Sequence, residues 1–429
     1  MEDAADCRGR GFDVVGDGAE AVRLVARGQF FAKGTRTLDR LPAPLASAAR
    51  RLGHHVLRES LVLGLPRAIR QASGQIENAR SIVARQAPSV VILAEDNVEY
   101  GTAALIRAAH ERQTKVLILP FTIATAREPA ESYRDNREHQ VAGWLRRRFA
   151  RSHPQWVYEL EGRALLRLPL VQALALERLG LAPARPWTLN SGSADHLAVE
   201  SPAMMEHYLR EGLPADRLVM TGALSDDVLA AGLAQASERR EALYREAGLP
   251  PGRPLLLCAL PPDQHGRGRS SPFASFDDLV RFWLDAVATD PTWNVVVVPH
   301  PRSRDVVGRF SLRPGVALLS RDTADLVPLC DVFVAAVSAT IRWALACAKP
   351  VVNFDVYRYG YEDYADQPEV VTLDQPSEFA GAIRAARERS RRAPDLARAS
   401  RWGRLDGRSG ERLLRLLDSM SRPSAANSL

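Results

Sequence analysis

The sequence has 429 residues, which is more than one hydrophobic core can hold, so we expect two domains. An apolar fraction of 46% and a charged fraction of 25% are those of a globular protein, and no apolar run approaches the length of a membrane span. The net charge of +6 fits an anionic partner such as a nucleotide, a phosphate-bearing substrate, an acidic membrane surface or nucleic acid. An arginine-rich surface that only favours solubility would give the same charge.

The cysteines and the two ends of the chain bear on its compartment. Cys7, Cys258, Cys330 and Cys347 have no metal-site spacing, and we interpret them as small core residues in a reducing environment. The N-terminal stretch lacks the apolar segment of a secretory signal. We therefore expect a cytoplasmic protein, and a peripheral contact with the inner face of the membrane stays open. Residues 421–429 are small and polar and are predicted to be disordered.

The first half of the chain alternates short apolar runs with helical patterns. Residues 41–85 have a mostly helical pattern. After them a strand is predicted in SVVILAEDN (89–97), a helix in GTAALIRAAHER and a second strand in KVLILPF. The predicted elements that follow are a basic helix at 136–151, a short strand at 156–160, the strand DHLAVES, a helix at 202–211, the strand RLVMTG and a charged helix at 234–247. Two prolines and a glycine then indicate a linker at 248–253, so the first domain is predicted to span 1–248.

The second half, predicted as a domain spanning 249–420, has a clearer pattern. Its predicted strands lie at 254–262, in the VVVV run, at 316–319, in DVFVAA and in PVVNFD, with helices after Ser275, at 338–348 and at 377–389. This alternation predicts an α/β fold of two doubly wound, Rossmann-like domains that face each other across a cleft. In such sheets ligands bind beyond the carboxyl ends of the strands.

Three segments at predicted strand ends could bind an anion. His300 and Arg302 follow VVVV, and the loop DQHGRGRS carries His265 and Arg267. Ser338 and Thr340 open a helix, where free N–H groups and hydroxyls suit phosphate. Each has an alternative: a loop histidine bonded to a neighbouring carbonyl, a solvated loop, and a plain helix cap. The convergence of all three favours a phosphate site.

Here the second half resembles the nucleotide-binding domain of the GT-B superfamily. The matching pieces are VVVVPHP, the run CDVFVAAVSATIRWALACAKPVVNF and the helix that follows, and residues 189–227 resemble the end of the N-terminal domain in these enzymes. The superfamily includes glycosyltransferases, UDP-GlcNAc 2-epimerases and CDP-glycerol glycerophosphotransferases. VSAT after a strand, with His-Pro upstream, is nearest to the sialyl- and Kdo-type transferases. The opening strand with its Gly-rich turn, the SGG turn of the epimerases and the SDYSS-type segment of the CDP-glycerol enzymes do not match.

The resemblance implies a glycosyltransferase with a nucleotide-sugar donor and a surface-glycan or glycolipid acceptor. Donor phosphate would lie on His300 and the start of the Ser338 helix, and the loop YRYGYEDY with the preceding Asp355 would offer Tyr357 and Tyr361 to the donor's base or sugar. The tyrosines could equally pack against the neighbouring helix. No cofactor and no metal are expected, because positive dipoles and side chains can replace a metal ion.

An inverting enzyme of this fold needs a base, and the acids after SVVIL are the candidates: Asp96 first, Glu95 second and Glu99 third. Asp96 could instead only cap the helix that follows. Two other functions stay open, a sugar-nucleotide 2-epimerase and a non-catalytic glycan- or partner-binding protein. The basic stretch RRRFAR (146–151), near Trp144 and Phe149, suits a membrane interface or a solvated helix end. No nucleic-acid partner is expected.

Overall fold

The computed structural model describes residues 61–120, 125–265 and 270–422. By compactness the chain divides into two units. The first holds the residues up to Leu197 together with Leu213–Arg217 and the end of the chain from Leu417, and the second holds Ala198–Gly212 and Leu218–Leu416. The domain boundary that the linker at 248–253 predicts stays a prediction. Cys7 and most of the predicted disordered tail lie outside the described residues.

The first part of the chain forms a parallel sheet with helices between its strands. Its elements are α1 Gly64–Gln86, β1 Val90–Leu93, α2 Thr102–His110, β2 Lys115–Ile118, α3 Arg127–Tyr133, α4 Gly143–Ser152, β3 Val157–Leu160, β4 Arg163–Leu166, α5 Leu170–Leu179, β5 His196–Val199, α6 Pro202–Arg210 and β6 Leu218–Met220. The sheet order is β1-β2-β5-β6, and β3 pairs with β4 as a separate antiparallel hairpin.

The second part forms a six-stranded, fully parallel sheet. Its elements are α7 Leu224–Ala234, α8 Ala236–Ala247, β7 Leu255–Leu260, α9 Phe276–Val287, β8 Asn294–Pro299, α10 Arg304–Val307, β9 Val316–Leu318, α11 Thr323–Leu326, β10 Val332–Ala335, α12 Ile341–Ala346, β11 Val351–Phe354, β12 Val370–Leu373, α13 Pro376–Arg389, α14 Leu396–Ala399 and α15 Ser409–Ser421. The order is β12-β11-β10-β7-β8-β9, so the chain winds outwards in both directions from β7. The predicted α/β class with parallel sheets is confirmed.

The valine run of β8 is apolar on both faces because both faces of this sheet are covered. Val296 and Val298 belong to one core cluster, and Val295 and Val297 belong to the cluster on the other side. A strand of a parallel sheet that is buried on both faces needs no polar alternation. Cys258, Cys330 and Cys347 are buried free thiols in these cores, as predicted.

The helix α9 follows its predicted pattern closely. Ser275 is its N-cap, and its hydroxyl accepts a hydrogen bond from the Asp278 N–H at 3.2 Å. Its stripe is buried as expected, with the members Phe276, Leu279, Val280, Trp283, Leu284 and Val287. Within the described residues, no helix is long and apolar enough to cross a bilayer.

Two predicted helices are shorter than expected. The basic helix predicted at 136–151 begins only at Gly143, because Gln140 bridges to Leu165 beside β4 and the N–H of Leu166 donates to the His139 carbonyl at 2.6 Å. The helix predicted at 338–348 is reduced to α12, Ile341–Ala346, because the Ser338 hydroxyl closes a local turn instead. The elements β4, α7 and β12 were not predicted at all, since each is short or lacks a strong period.

Candidate active site

The carboxyl ends of four neighbouring strands carry the predicted donor residues. In the second sheet β11, β10, β7 and β8 are consecutive and parallel, so their carboxyl ends lie along one edge. The residues that follow these strands are Asp355 after β11, Ser338 and Thr340 after β10, His265 after β7, and His300 and Arg302 after β8. The loops at this edge of a doubly wound sheet are where ligands bind.

His300 is held in one orientation by its own turn. Its Nδ1 accepts a hydrogen bond from the backbone N–H of Arg302 at 3.2 Å, across Pro301. Partial burial lowers the pKa of His300, and the Arg302 charge adds to that shift. Because a backbone amide can only donate, Nδ1 carries no proton and the neutral ring carries it on Nε2. Nε2–H has no hydrogen-bond partner in the described part of the chain, and it is therefore a donor available to an oxygen anion.

The turn with Ser338 and Thr340 is tightly organised. The Ser338 hydroxyl accepts from the Thr340 N–H at 3.2 Å and lies 2.8 Å from the Thr340 hydroxyl. Val337 before it has a φ of 40°, a left-handed conformation that costs a β-branched residue free energy. The Val337 N–H donates to Oδ1 of buried Asn353 in β11 at 2.8 Å, which holds the turn in this conformation. Asn353 was not among the predicted site residues.

His265 has both ring nitrogens engaged within its own unit. Nδ1 lies 3.0 Å from Oδ1 of Asp263, and Nε2 lies 3.2 Å from the Phe273 carbonyl oxygen. A contact between His265 and donor phosphate would require one of these bonds to open. Arg267 lies outside the described residues, in the gap 266–269, so its predicted role stays a prediction.

The loop after β11 is ordered by Asp355. Its buried carboxylate accepts the backbone N–H groups of Tyr359 at 2.8 Å and Gly360 at 2.7 Å. Tyr357 is only 2% exposed, and its hydroxyl donates to the Pro262 carbonyl and accepts from the Gln264 N–H. Tyr361 packs its ring on Tyr359, with 5.1 Å between the centroids. Tyr357 therefore joins this loop to the loop that follows β7, and a stacking role would require Tyr357 to leave the core.

In the first unit, Asp96 follows β1 and is buried. Its Oδ1 accepts the Thr102 hydroxyl at 2.6 Å, and its backbone exchanges hydrogen bonds with Asn190 at 2.7 and 2.9 Å. Helix α2 begins after Gly101 and receives no side-chain cap, so Asp96 does not cap it. Oδ2 is buried and, among the described residues, has no hydrogen-bond partner at bonding distance. Asp96 is thus a buried acid with one oxygen unused.

The surroundings of Asp96 raise the pKa of its carboxyl group. Burial raises the pKa of Asp96, although the Thr102 hydroxyl, the nearby Gly192 amide and the Arg217 charge oppose the shift. The Gly192 amide is close enough to favour the charged form, yet it makes no hydrogen bond of normal geometry with Oδ2. A Cβ at Gly192 would lie 1.7 Å from Oδ2, so only glycine fits there. A carboxylate whose pKa is raised is a stronger base than that of a free aspartate.

The other two candidate acids differ from Asp96. Glu95 is half-buried, and burial raises its pKa, with Asn97 opposing and the Glu99 charge adding to the shift. Glu99 accepts hydrogen bonds from Arg167 and from the Tyr133 hydroxyl. Because its carboxylate is paired in this way, Glu99 is the least available of the three as a base.

Sequence reasoning missed several residues that shape these sites. Four of these residues surround Asp96: Thr102, Asn190, Gly192 and Arg217. A fifth, Asn353, holds the Ser338 turn. Only the NSG stretch at 190–192 carried a signal, since Asn and Gly together mark a tight turn, and Asn190 has a φ of 64°.

No family model matches this sequence, and no curated protein is significantly similar to it. Solved structures do match. The wall teichoic acid polymerase TagF, as its H548A variant, is 14% identical with a TM-score of 0.40, and the match covers 53% of this chain and 58% of the polymerase chain. UDP-GlcNAc 2-epimerase from Methanocaldococcus jannaschii, with UDP-GlcNAc and UDP, is 12% identical over 81% of both chains with a TM-score of 0.45. The S. aureus MnaA–UDP structure is 13% identical over 81% of this chain and 80% of that chain, with a TM-score of 0.47.

What these structures share with this chain is an α/β fold with two parallel sheets. At such identities and TM-scores, no activity, substrate or residue role follows from them.

Proposed function

We propose that this protein is a metal-independent glycosyltransferase that uses a nucleotide-activated sugar. The observation that carries the proposal is the edge formed by β11, β10, β7 and β8, where an oriented Nε2–H donor and a hydroxyl-bearing turn follow neighbouring strands. Both groups donate hydrogen bonds without charge of their own, which suits the oxygens of a diphosphate as it leaves with increasing negative charge. The second unit would bind the donor, with His300, Arg302, Ser338 and Thr340 on its phosphates.

Asp96 is the proposed base for the acceptor hydroxyl. As the acceptor oxygen attacks the anomeric carbon, the bond from that carbon to the phosphate oxygen breaks and the hydroxyl proton passes to Oδ2 of Asp96. The buried, unpartnered Oδ2 and the raised pKa of this carboxyl support the role. Glu95, next to it and half-buried, is the second candidate.

The experiment that tests the proposal compares Asp96→Asn with the unchanged protein. Thermal shifts with CMP, CDP, UDP and GDP first identify the nucleotide, and release of that nucleotide from its sugar is then measured with and without an extracted glycolipid acceptor. We expect acceptor-dependent release to fall about 10²- to 10⁴-fold in Asp96→Asn, with nucleotide affinity unchanged. Asp195→Asn, which changes a partly buried acid of the same unit that is paired with Lys115, should keep its turnover. Full turnover in Asp96→Asn would disprove the base.

The second candidate function is a sugar-nucleotide 2-epimerase. The raised pKa values of both Asp96 and Glu95 favour it, because an epimerase needs more than one acid or base in its site. Incubation with UDP-GlcNAc alone separates the two functions. Formation of the 2-epimer without any acceptor would replace the transferase with the epimerase.

A glycolipid acceptor would bring the enzyme to a membrane surface, and α4 has the properties for that contact. Trp144 is 71% exposed, and Arg147, Arg148 and Arg151 follow at the spacing of one helix face. No carboxylate in the described ranges pairs with these three arginines. The opposite face is fixed by Phe149, which is buried against Trp156. An exposed indole among unpaired arginines suits an anionic lipid surface.

A further inference from the structure

A cavity of about 710 Å³ lies at the amino-terminal edge of the second sheet. The lining includes Asp331 and Glu369, which immediately precede β10 and β12, and Lys349, which stands two residues before β11. In a parallel sheet all amino ends lie along one edge, opposite the carboxyl ends where His300 and Ser338 are found. The cavity is therefore separate from the proposed donor site.

Three cationic side chains line this cavity. Lys349 comes from the turn before β11, and Arg389 and Arg392 come from the end of α13 and the segment after it. Arg389 donates to the carbonyl of Pro368, another lining residue, at 2.6 Å. Neither Lys349 nor Arg392 forms an ion pair within the part of the chain that the structure describes.

The carboxylates of the cavity are already neutralised. Asp331 binds the Arg240 guanidinium at 3.0 Å and the Leu255 N–H at 2.7 Å. Arg398 lies 3.3 Å from both Glu369 and Asp395. The cavity thus has an excess of positive charge. The five cations at or next to it are Lys349, Arg389, Arg392, Arg240 and Arg398, and its three carboxylates are those of Asp331, Glu369 and Asp395.

The floor of the cavity is apolar and lies close to the Lys349 charge. It includes Cys347, Pro350 and Leu405. Burial raises the pKa of Cys330 and of Cys347 to about 12, and the nearby Lys349 ammonium partly opposes that shift. A cation beside an apolar floor, in a volume typical of small-molecule sites, suits a ligand with a charged group on an apolar body.

We propose that this cavity binds a small phosphate monoester whose phosphate contacts Lys349 and Arg392 and whose organic part covers the apolar floor. Phosphate would accept charge-assisted hydrogen bonds from both cations, and Arg389 would add positive charge to the same cavity. The site does not depend on the transferase reaction, because it involves none of the residues assigned to donor or acceptor.

Calorimetric titration of the full chain with phenyl phosphate, phenol and inorganic phosphate tests the site. We expect phenyl phosphate to bind at least about tenfold more tightly than phenol or inorganic phosphate does. Equal affinity for inorganic phosphate would remove the role of the apolar floor, and equal affinity for phenol would remove the role of the cations. Absence of phenyl phosphate binding would overturn the proposal.

Variants then locate the binding. Lys349→Met and Arg392→Gln should each weaken phenyl phosphate binding at least about fivefold. The matched control Arg384→Gln, an exposed arginine of α13 outside the cavity, should leave the affinity unchanged. His300→Ala should also leave it unchanged. If phenyl phosphate binding is lost in His300→Ala and kept in Lys349→Met, the ligand binds at the donor edge, and the proposal is disproved. Arg392 is exposed, so changing it carries little risk to folding.

Discussion

The environment of the Asp96 carboxyl is built by residues remote from it in the chain. Asn190 and Gly192 come from the loop before β5, and Arg217 comes from the residues just before β6. The sequence near Asp96 predicts a strand followed by acids, which fits a cap as well as a base. The structure excludes a capping role for Asp96, because its carboxyl binds the Thr102 hydroxyl and not a backbone amide of α2.

His300 should bind donor phosphate as a neutral donor. His300→Ala should weaken nucleotide binding about tenfold or more, since a hydrogen bond to a charged group contributes about 1.5–3 kcal/mol. Because Nδ1 accepts a backbone N–H and the pKa of His300 is lowered, the neutral ring is the expected binding form, and affinity should not decline between pH 6.5 and 8. Thermal shift with the nucleotide at several pH values measures both effects.

His110→Ala, which removes an imidazole of the first unit bound to Asp195, is the control for His300→Ala. It should leave nucleotide affinity unchanged. A steep loss of affinity with rising pH in the unchanged protein would show that the imidazolium is the binding form, contrary to the orientation of Nδ1.

Glu200 should make stability depend on pH. Burial raises its pKa to about 7, opposed by the Arg342 charge and the Tyr208 hydroxyl, while the Asp226 charge adds to the rise. Between the usual glutamate range near pH 4.5 and pH 7, the folded state keeps a proton that the unfolded state has released. The free energy of unfolding therefore falls as pH rises through this window, by up to about 3 kcal/mol from this group.

Urea unfolding from pH 4.5 to 8 measures the contribution of Glu200. Glu200→Gln, which keeps the shape and can still accept from Tyr208, should flatten the slope in that window. Glu206→Gln changes an exposed glutamate of α6 and should keep the slope. An unchanged slope in Glu200→Gln would assign the pH dependence to other groups.

Among the single elements, α4 presents an exposed basic face that we expect to bind anionic membranes. Vesicles containing anionic lipid should sediment with the protein at low salt, and salt should release it, because Debye screening weakens attraction between exposed charges. Replacing both Arg147 and Arg148 with Glu should weaken vesicle binding at least tenfold, at about 1 kcal/mol for each basic residue lost.

The control for α4 is Arg178→Glu in the last turn of α5, which changes an exposed arginine on another helix. It should bind vesicles nearly as well as the unchanged protein. Recovery of all protein in the supernatant at low salt would refute the membrane contact and would identify α4 as an ordinary solvated helix.

The elements also show where sequence periodicity was sufficient. Helix α9 was predicted with its cap and buried stripe because its apolar spacing and its Ser275 signal agree. Helix α12 was predicted too long, because the Ser338 hydroxyl competes with the helix for the Thr340 amide. The hairpin β3–β4 was only half predicted, since its second strand is stabilised by pairing that its own four residues do not reveal.

At the scale of the whole molecule, the strand order is the feature that unites the donor residues. In sequence, two helices and two strands separate His300 from Ser338, and one helix and one strand separate Ser338 from Asp355. The strands that precede these residues nevertheless lie close together in the sheet, around β7. A second consequence of the parallel order is that the cavity of Lys349 lies at the opposite edge from these residues.

The α/β class, most of the strands of the second sheet and the anion-competent types of residue at their ends could all be predicted from the sequence. Local periodicity and strand-end composition carry that information, because both depend on neighbours along the chain. Tertiary structure decided the neighbours of Asp96, the buried position of Tyr357, the engaged nitrogens of His265 and the cavity around Lys349. Each of these depends on contacts between residues far apart in sequence, and no local pattern records such contacts.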